Sequence, residues 1–171
     1  ADNNDVFSAD DAGFQVYAVR DSLTTKKVKF VLTSSLATSG ENIFPSIETG
    51  FFDDTYDNET WNIAVTVKPI AYEVGDQNNA LKDGSGSYIV NFRGFNVEDE
   101  RLYNSFDLTS SFHSTRAIKL LSQNRKPYYG ANRTNFTGSL LNGSDLEVGF
   151  FRVWLDNLSN SELISHAKDP R

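Results

Sequence analysis

The chain has 171 residues, a formal net charge of -7, 39% hydrophobic residues and neither cysteine nor methionine. That size suits a single globular domain. The acidic balance excludes nucleic acid as a main partner, because phosphate contacts need Lys and Arg patches. The lack of Cys excludes a disulfide framework and a thiolate metal site, and no apolar run approaches the roughly 20 residues of a membrane-spanning helix.

Residues 1–12 are rich in Asp and Asn and read as a linker. A first strand is predicted over 13–20, where Phe14, Val16 and Ala18 alternate with Gln15, Tyr17 and Val19. Residues 21–25 are turn-like. Val28, Phe30 and Leu32 against Lys27, Lys29 and Val31 predict a second strand, whose Lys26, Lys27 and Lys29 read as a solvated face or a protected sheet edge. A polar loop is expected over 34–47. An acidic stretch over 53–60 then precedes the cleanest strand pattern in the chain, Trp61, Ile63, Val65 and Val67, stopped by Pro69.

Residues 74–87 read as a hairpin loop on Gly75, Gly84 and Gly86, and Tyr88, Val90 and Phe92 as the strand after it. Residues 94–100 are expected to turn the chain, with short strands over 104–112 and 117–122 and another opening at Tyr128–Tyr129. Over 148–155, Val148, Phe150, Arg152 and Trp154 alternate with Gly149, Phe151, Val153 and Leu155, which predicts a last strand with both faces partly covered. Ser159 then stands three residues before Glu162, the spacing of a capping box, with Leu158 and Leu163 placed for a hydrophobic staple. The short helix that follows must lean on the sheet to survive. In all, about eight or nine short strands and one helix argue for an antiparallel sandwich or barrel rather than a parallel βαβ sheet.

Three ordered segments resemble laminin-G-like (concanavalin-A-like) jelly rolls. The first is the tryptophan-led strand Trp61-Asn62-Ile63-Ala64-Val65-Thr66-Val67 after an acidic loop. The second is the glycine-punctuated stretch with Tyr128, Tyr129, Gly130, Phe136 and Gly138, in which Tyr129 replaces the Ile usual before the glycine. The third is the closing pattern Arg152, Trp154, Leu158, Ser159 and Glu162. The resemblance implies an all-β, two-sheet antiparallel sandwich over 13–171 with one short C-terminal helix. It also implies structural roles for Trp61, Gly130, Phe136, Gly138, Arg152, Trp154, Ser159 and Glu162. Such modules occur in matrix proteins, secreted microbial proteins and virion proteins of tailed phages. The Cys-free, acidic, Asn-rich chain looks most like the last group, which implies an extracellular or virion-surface location and packing on neighbouring protein subunits.

Candidate chemistry is sparse. Paired carboxylates for glycoside hydrolysis need neighbouring positions on one strand. Glu98 and Glu100 have the spacing but sit in an acidic run that reads as a solvated turn. The two histidines, His113 and His166, lack a G-x-S-x-G elbow, and His166 suits the last turn of a helix. No cofactor is assigned; Ca²⁺ is the candidate ion, because Asp53, Asp54, Asp57, Asn58 and Glu59 cluster in one loop and Asp76, Asn78, Asn79 and Asp83 in another. Neither cluster has EF-hand spacing. N-x-[ST] sequons fall at Asn58, Asn132, Asn135, Asn142 and Asn157. Tyr56, Asn58, Tyr103, Tyr128 and Tyr129 are the candidate contacts for a sugar, rings to stack and amides to hydrogen-bond. The expected function is a non-enzymatic β-sandwich module of a larger surface assembly. The alternative is a Ca²⁺-assisted, carbohydrate-binding lectin domain.

Overall fold

The computed structural model of the chain describes residues 12–36, 41–57, 59–70, 87–122, 129, 131–133, 140–143 and 147–168. The architecture is mostly β. Strands β1 (Ala12–Arg20), β2 (Val28–Leu36) and β3 (Ile47–Glu48) form one antiparallel sheet in that order. Strands β4 (Trp61–Pro69), β5 (Ser87–Glu98) and β6 (Arg101–His113) form a second. Each sheet is therefore made of strands consecutive in the chain. A short ribbon pairs β7 (Ala131–Arg133) with β8 (Leu140–Gly143). Two helices complete the described structure, α1 (Ser114–Leu121) and α2 (Asn160–Lys168).

The two sheets share one core. Val28, Phe30, Leu32 and Leu36 of β2 meet Tyr88, Val90 and Phe92 of β5 and Phe112 of β6 in a single buried cluster. Burial alternates without a break along β2, as strand geometry requires when one face is covered. Ser34 falls on the inward side, and its hydroxyl is satisfied there. It accepts from the backbone N–H groups of Ile43 (3.1 Å) and Phe44 (3.0 Å) and donates to the Phe44 carbonyl (3.0 Å). One buried hydroxyl thus folds Ile43 and Phe44 back into the core. At the centre of the cluster Phe30, Phe52, Trp61, Phe92 and Phe106 pack ring on ring, with Phe30 and Trp61 centroids 4.8 Å apart. Gly94 makes room for this: a Cβ there would stand 2.1 Å from the Phe106 ring.

Strand β5 is buried on both faces over 90–96. Its outward Arg93 donates from Nε to Asp107 Oδ1 (3.2 Å) and from Nη1 to the Leu158 carbonyl (3.3 Å). Asp107 Oδ2 in turn accepts from Asn160 Nδ2 (2.9 Å). This polar clamp holds the start of α2 on the outer face of the second sheet. Leu163 of α2 and Phe95 of β5 are both buried but outside the main core cluster.

Several expectations are corrected. Residues 117–122 are not a strand: Ser114–Leu121 is a helix, begun by His113, whose ring nitrogen accepts from the Thr115 N–H, and driven into the core by Ala117 and Leu120. Ala117 and Leu120 stand three apart, which places them on one face of a helix and on opposite faces of a strand, so the spacing favours the helix. Residues 34–36 continue β2 instead of opening a loop, and β5 runs on to Glu98. The chain reverses at Asp99 and Glu100, both with positive φ (47° and 62°), so Glu98 and Glu100 do not share a strand face. The lysines do not guard an edge, because Lys29 lies on β2, the middle strand of its sheet. The largest correction is at 148–155. This stretch joins no ladder and is irregular throughout. Of the expected linker 1–12, only Ala12 is described, and it opens β1. The expected hairpin loop over 74–87 lies almost wholly outside the described residues.

Candidate functional site

The acidic loop after Phe52 is a local charge network. Lys26 Nζ lies 2.5 Å from Asp57 Oδ2, Lys27 Nζ 2.9 Å from Asp53 Oδ1, and Lys29 Nζ 2.9 Å from Glu48 Oε2. Hydrogen bonding to Asp57 raises the Lys26 ammonium above its ordinary pKa, and bonding to Asp53 does the same for Lys27. Asp54 takes a positive φ of 57°, a turn role that Asp tolerates. Asp57, Glu59 and Glu98 line a shallow cleft with Thr60, Asn96 and Val97. Glu59 accepts from the Trp61 indole N–H (3.3 Å), and Asn96 donates to the Thr60 carbonyl (3.1 Å). Among the described residues no three acidic or imidazole groups converge on a point that could hold a metal ion. Two of the three carboxylates proposed as ligands, Asp53 and Asp57, instead answer lysines. Asn58 lies outside the described residues, as does the second Asp/Asn cluster.

Among the described residues the candidate tyrosines make separate contacts. Tyr56 lies under the Arg20 guanidinium, 4.0 Å from ring centroid to Cζ. Tyr103 is exposed near the start of β6. Tyr129 is exposed and meets Phe151 edge-on at 5.6 Å. Tyr128, Gly130, Phe136 and Gly138 lie outside the described residues. Trp61 is half-buried against Phe30 and Phe52.

The C-terminal block splits in two. The capping box is present: Ser159 N–H donates to Glu162 Oε2 (2.7 Å), and Glu162 N–H donates to Ser159 Oγ (3.3 Å). These bonds with Ser159 hold the Glu162 carboxyl below its ordinary pKa. Trp154, expected in or beside the core, is 41% exposed and meets the His166 ring at a tilt, 5.4 Å between centroids. Arg152 Nη1 lies 3.2 Å from His166 Nδ1, with its guanidinium over the Phe150 ring. Phe150, Phe151, Val153 (73% exposed) and Leu155 face solvent with it. Residues 148–155 therefore form a continuous exposed band of aromatic and aliphatic side chains, anchored at its C-terminal end by the Arg93–Leu158 bond. Its alternation signals apolar content correctly; what it cannot signal is whether a ladder partner exists in the same chain.

No family model, curated protein or solved structure matches this chain. Among the described residues, no helix is long and apolar enough to cross a membrane.

Proposed function

We propose that this protein is a non-enzymatic interaction module of a larger surface or virion assembly, which packs on protein neighbours through the band 148–155. One observation carries the reading: Phe150, Phe151, Val153, Trp154 and Leu155 are all exposed in one run. Contiguous exposed apolar patches mark interaction sites, and aromatic residues with Arg are enriched at protein interfaces. A laminin-G-like jelly roll is the finer fold reading. The shared core of two antiparallel sheets and the capping box at Ser159 support it. It further requires strands that interleave the two sheets, which the described strands, consecutive within each sheet, do not supply.

Sedimentation at rising protein concentration, alone and with proteins of its source particle, tests the reading together with a glycan array run with and without chelator. Phe150→Ser combined with Trp154→Ser should abolish association and leave the thermal midpoint in place. A chain that stays monomeric, ignores its neighbours and binds a glycan would replace protein packing with a lectin. Loss of that glycan binding on chelation would restore the calcium role of the acidic loop.

A further inference from the structure

Among the described residues strand β1 is an edge strand, with helix α1 in contact with it. It pairs with β2 on one side, and no strand lies on its other side among the described residues. Register places Phe14 opposite Ser34, Val16 opposite Leu32 and Ala18 opposite Phe30. Directly opposed residues of an antiparallel pair project to the same face, so Phe14, Val16 and Ala18 belong to the inward face of the sheet. Yet Phe14 is 36% and Val16 39% exposed, and neither joins the core cluster, whereas the inward residues of the other long edge strands, Ile63, Val65, Phe106 and Leu108, pack against it. Proteins usually guard such an edge with Lys, Pro or an inward charge. In β1 the one such residue is Arg20 at its very end; Ala12 to Val19 carry no Lys, Pro or charge.

The same molecule has a strand pattern without a ladder. Residues 147–155 alternate as a strand should, match β1 in length at nine residues, and leave their apolar side chains in solvent. We propose that 147–155 of one copy docks antiparallel along the open edge of β1 in a second copy. One register satisfies both faces. With Val16 opposite Phe151, Phe14 meets Val153 and Ala18 meets Gly149 on the inward face. Tyr17 meets Phe150 and Gly13 meets Trp154 on the outward face, and Arg20 stands opposite Glu147, of opposite charge. A second copy is favoured over the chain's own segment because Leu158 is bonded to Arg93 on the outer face of the second sheet. That face is separated from β1 by the second sheet itself and the core. This assignment rests on the interaction-module reading and names its partner.

The absence of Cys makes the test clean. Tagged Val16→Cys and untagged Phe151→Cys chains are mixed and mildly oxidised, with Val16→Cys and Phe150→Cys as the pair one residue out of register. Disulfide geometry tolerates only close, facing Cβ atoms, so the 16–151 heterodimer should form at least about tenfold faster than the 16–150 one. Equal rates, or no heterodimer, overturn the proposal. A chain bearing both Val16→Cys and Phe151→Cys that closes on itself as a monomer overturns the second copy in favour of its own segment. Val16→Lys should abolish self-association in sedimentation while preserving the thermal midpoint; self-association that survives Val16→Lys counts against the β1 edge. If crosslinking fails but Phe150→Ser with Trp154→Ser still abolishes association with another protein, the module reading stands and only the β1 partner falls.

Discussion

Gly94 and Glu162 show how single positions are constrained by different physics. At Gly94 the constraint is steric: an added methyl would stand against Phe106, in the middle of five packed rings. Gly94→Ala should therefore lower stability by about 1–3 kcal/mol, the usual cost of overpacking a filled core, read as a drop in the urea midpoint with an unchanged slope. At Glu162 the constraint is electrostatic and pH-dependent. Its folded pKa lies below the ordinary 4.5 because Ser159 hydrogen-bonds the carboxylate. A depressed carboxyl pKa contributes stability that is fully present above the unfolded value and is lost as pH falls through the folded value. The difference in thermal midpoint between the native chain and Glu162→Gln should be constant near neutrality and shrink below pH 4.5. A difference that persists unchanged in acid would mean the carboxylate charge plays no part in the cap.

At the scale of elements, the segment over 148–155 and strand β5 carry similar apolar alternation and have opposite fates. Strand β5 sits between β4 and β6 and is buried on both faces over 90–96. The segment 148–155 has no ladder, and Trp154 touches only the surface ring of His166 among the aromatic contacts described. Trp154→Ala should shift stability by no more than about 0.5 kcal/mol, as surface substitutions do. Phe92→Ala, emptying a fully buried site, should cost about 3–5 kcal/mol. Parallel thermal melts of the two variants check this. A large loss for Trp154→Ala would return the indole to the core and remove the exposed band on which the interaction reading depends.

At the scale of the whole molecule, charge among the described residues ties loops to the first sheet and to helix α1. Lys26 and Lys27 bind Asp57 and Asp53 across the start of β2, and Arg116 reaches the Asn42 carbonyl at 2.5 Å. A ligand that binds only the folded state raises the midpoint in proportion to the logarithm of its excess over Kd. Millimolar calcium should therefore leave the thermal midpoint unchanged. A rise that chelator reverses, and that Asp53→Asn removes, would establish the calcium site that the ion pairs argue against. Along Ala12–Val19 β1 carries no charge, which is why that edge and the exposed band belong to one account of assembly.

Local pattern was enough for the strands whose core-facing residues alternate in the sequence. The pairs Phe30 and Leu32, Ile63 and Val65, and Val90 and Phe92 are legible because side chains two apart share a face. The box of Ser159 and Glu162 is legible because a cap involves only residues three apart. The helix at Ser114–Leu121 was legible in the three-residue spacing of Ala117 and Leu120, but in so short a run that the strand expectation passed over it. The exposure of Trp154 was not legible, because burial belongs to a residue and its partners together. Whether an alternating segment becomes a strand depends on a free ladder edge in reach, and that edge is set by how distant parts of the chain, β1 and the outer face of β5, come to lie in different layers.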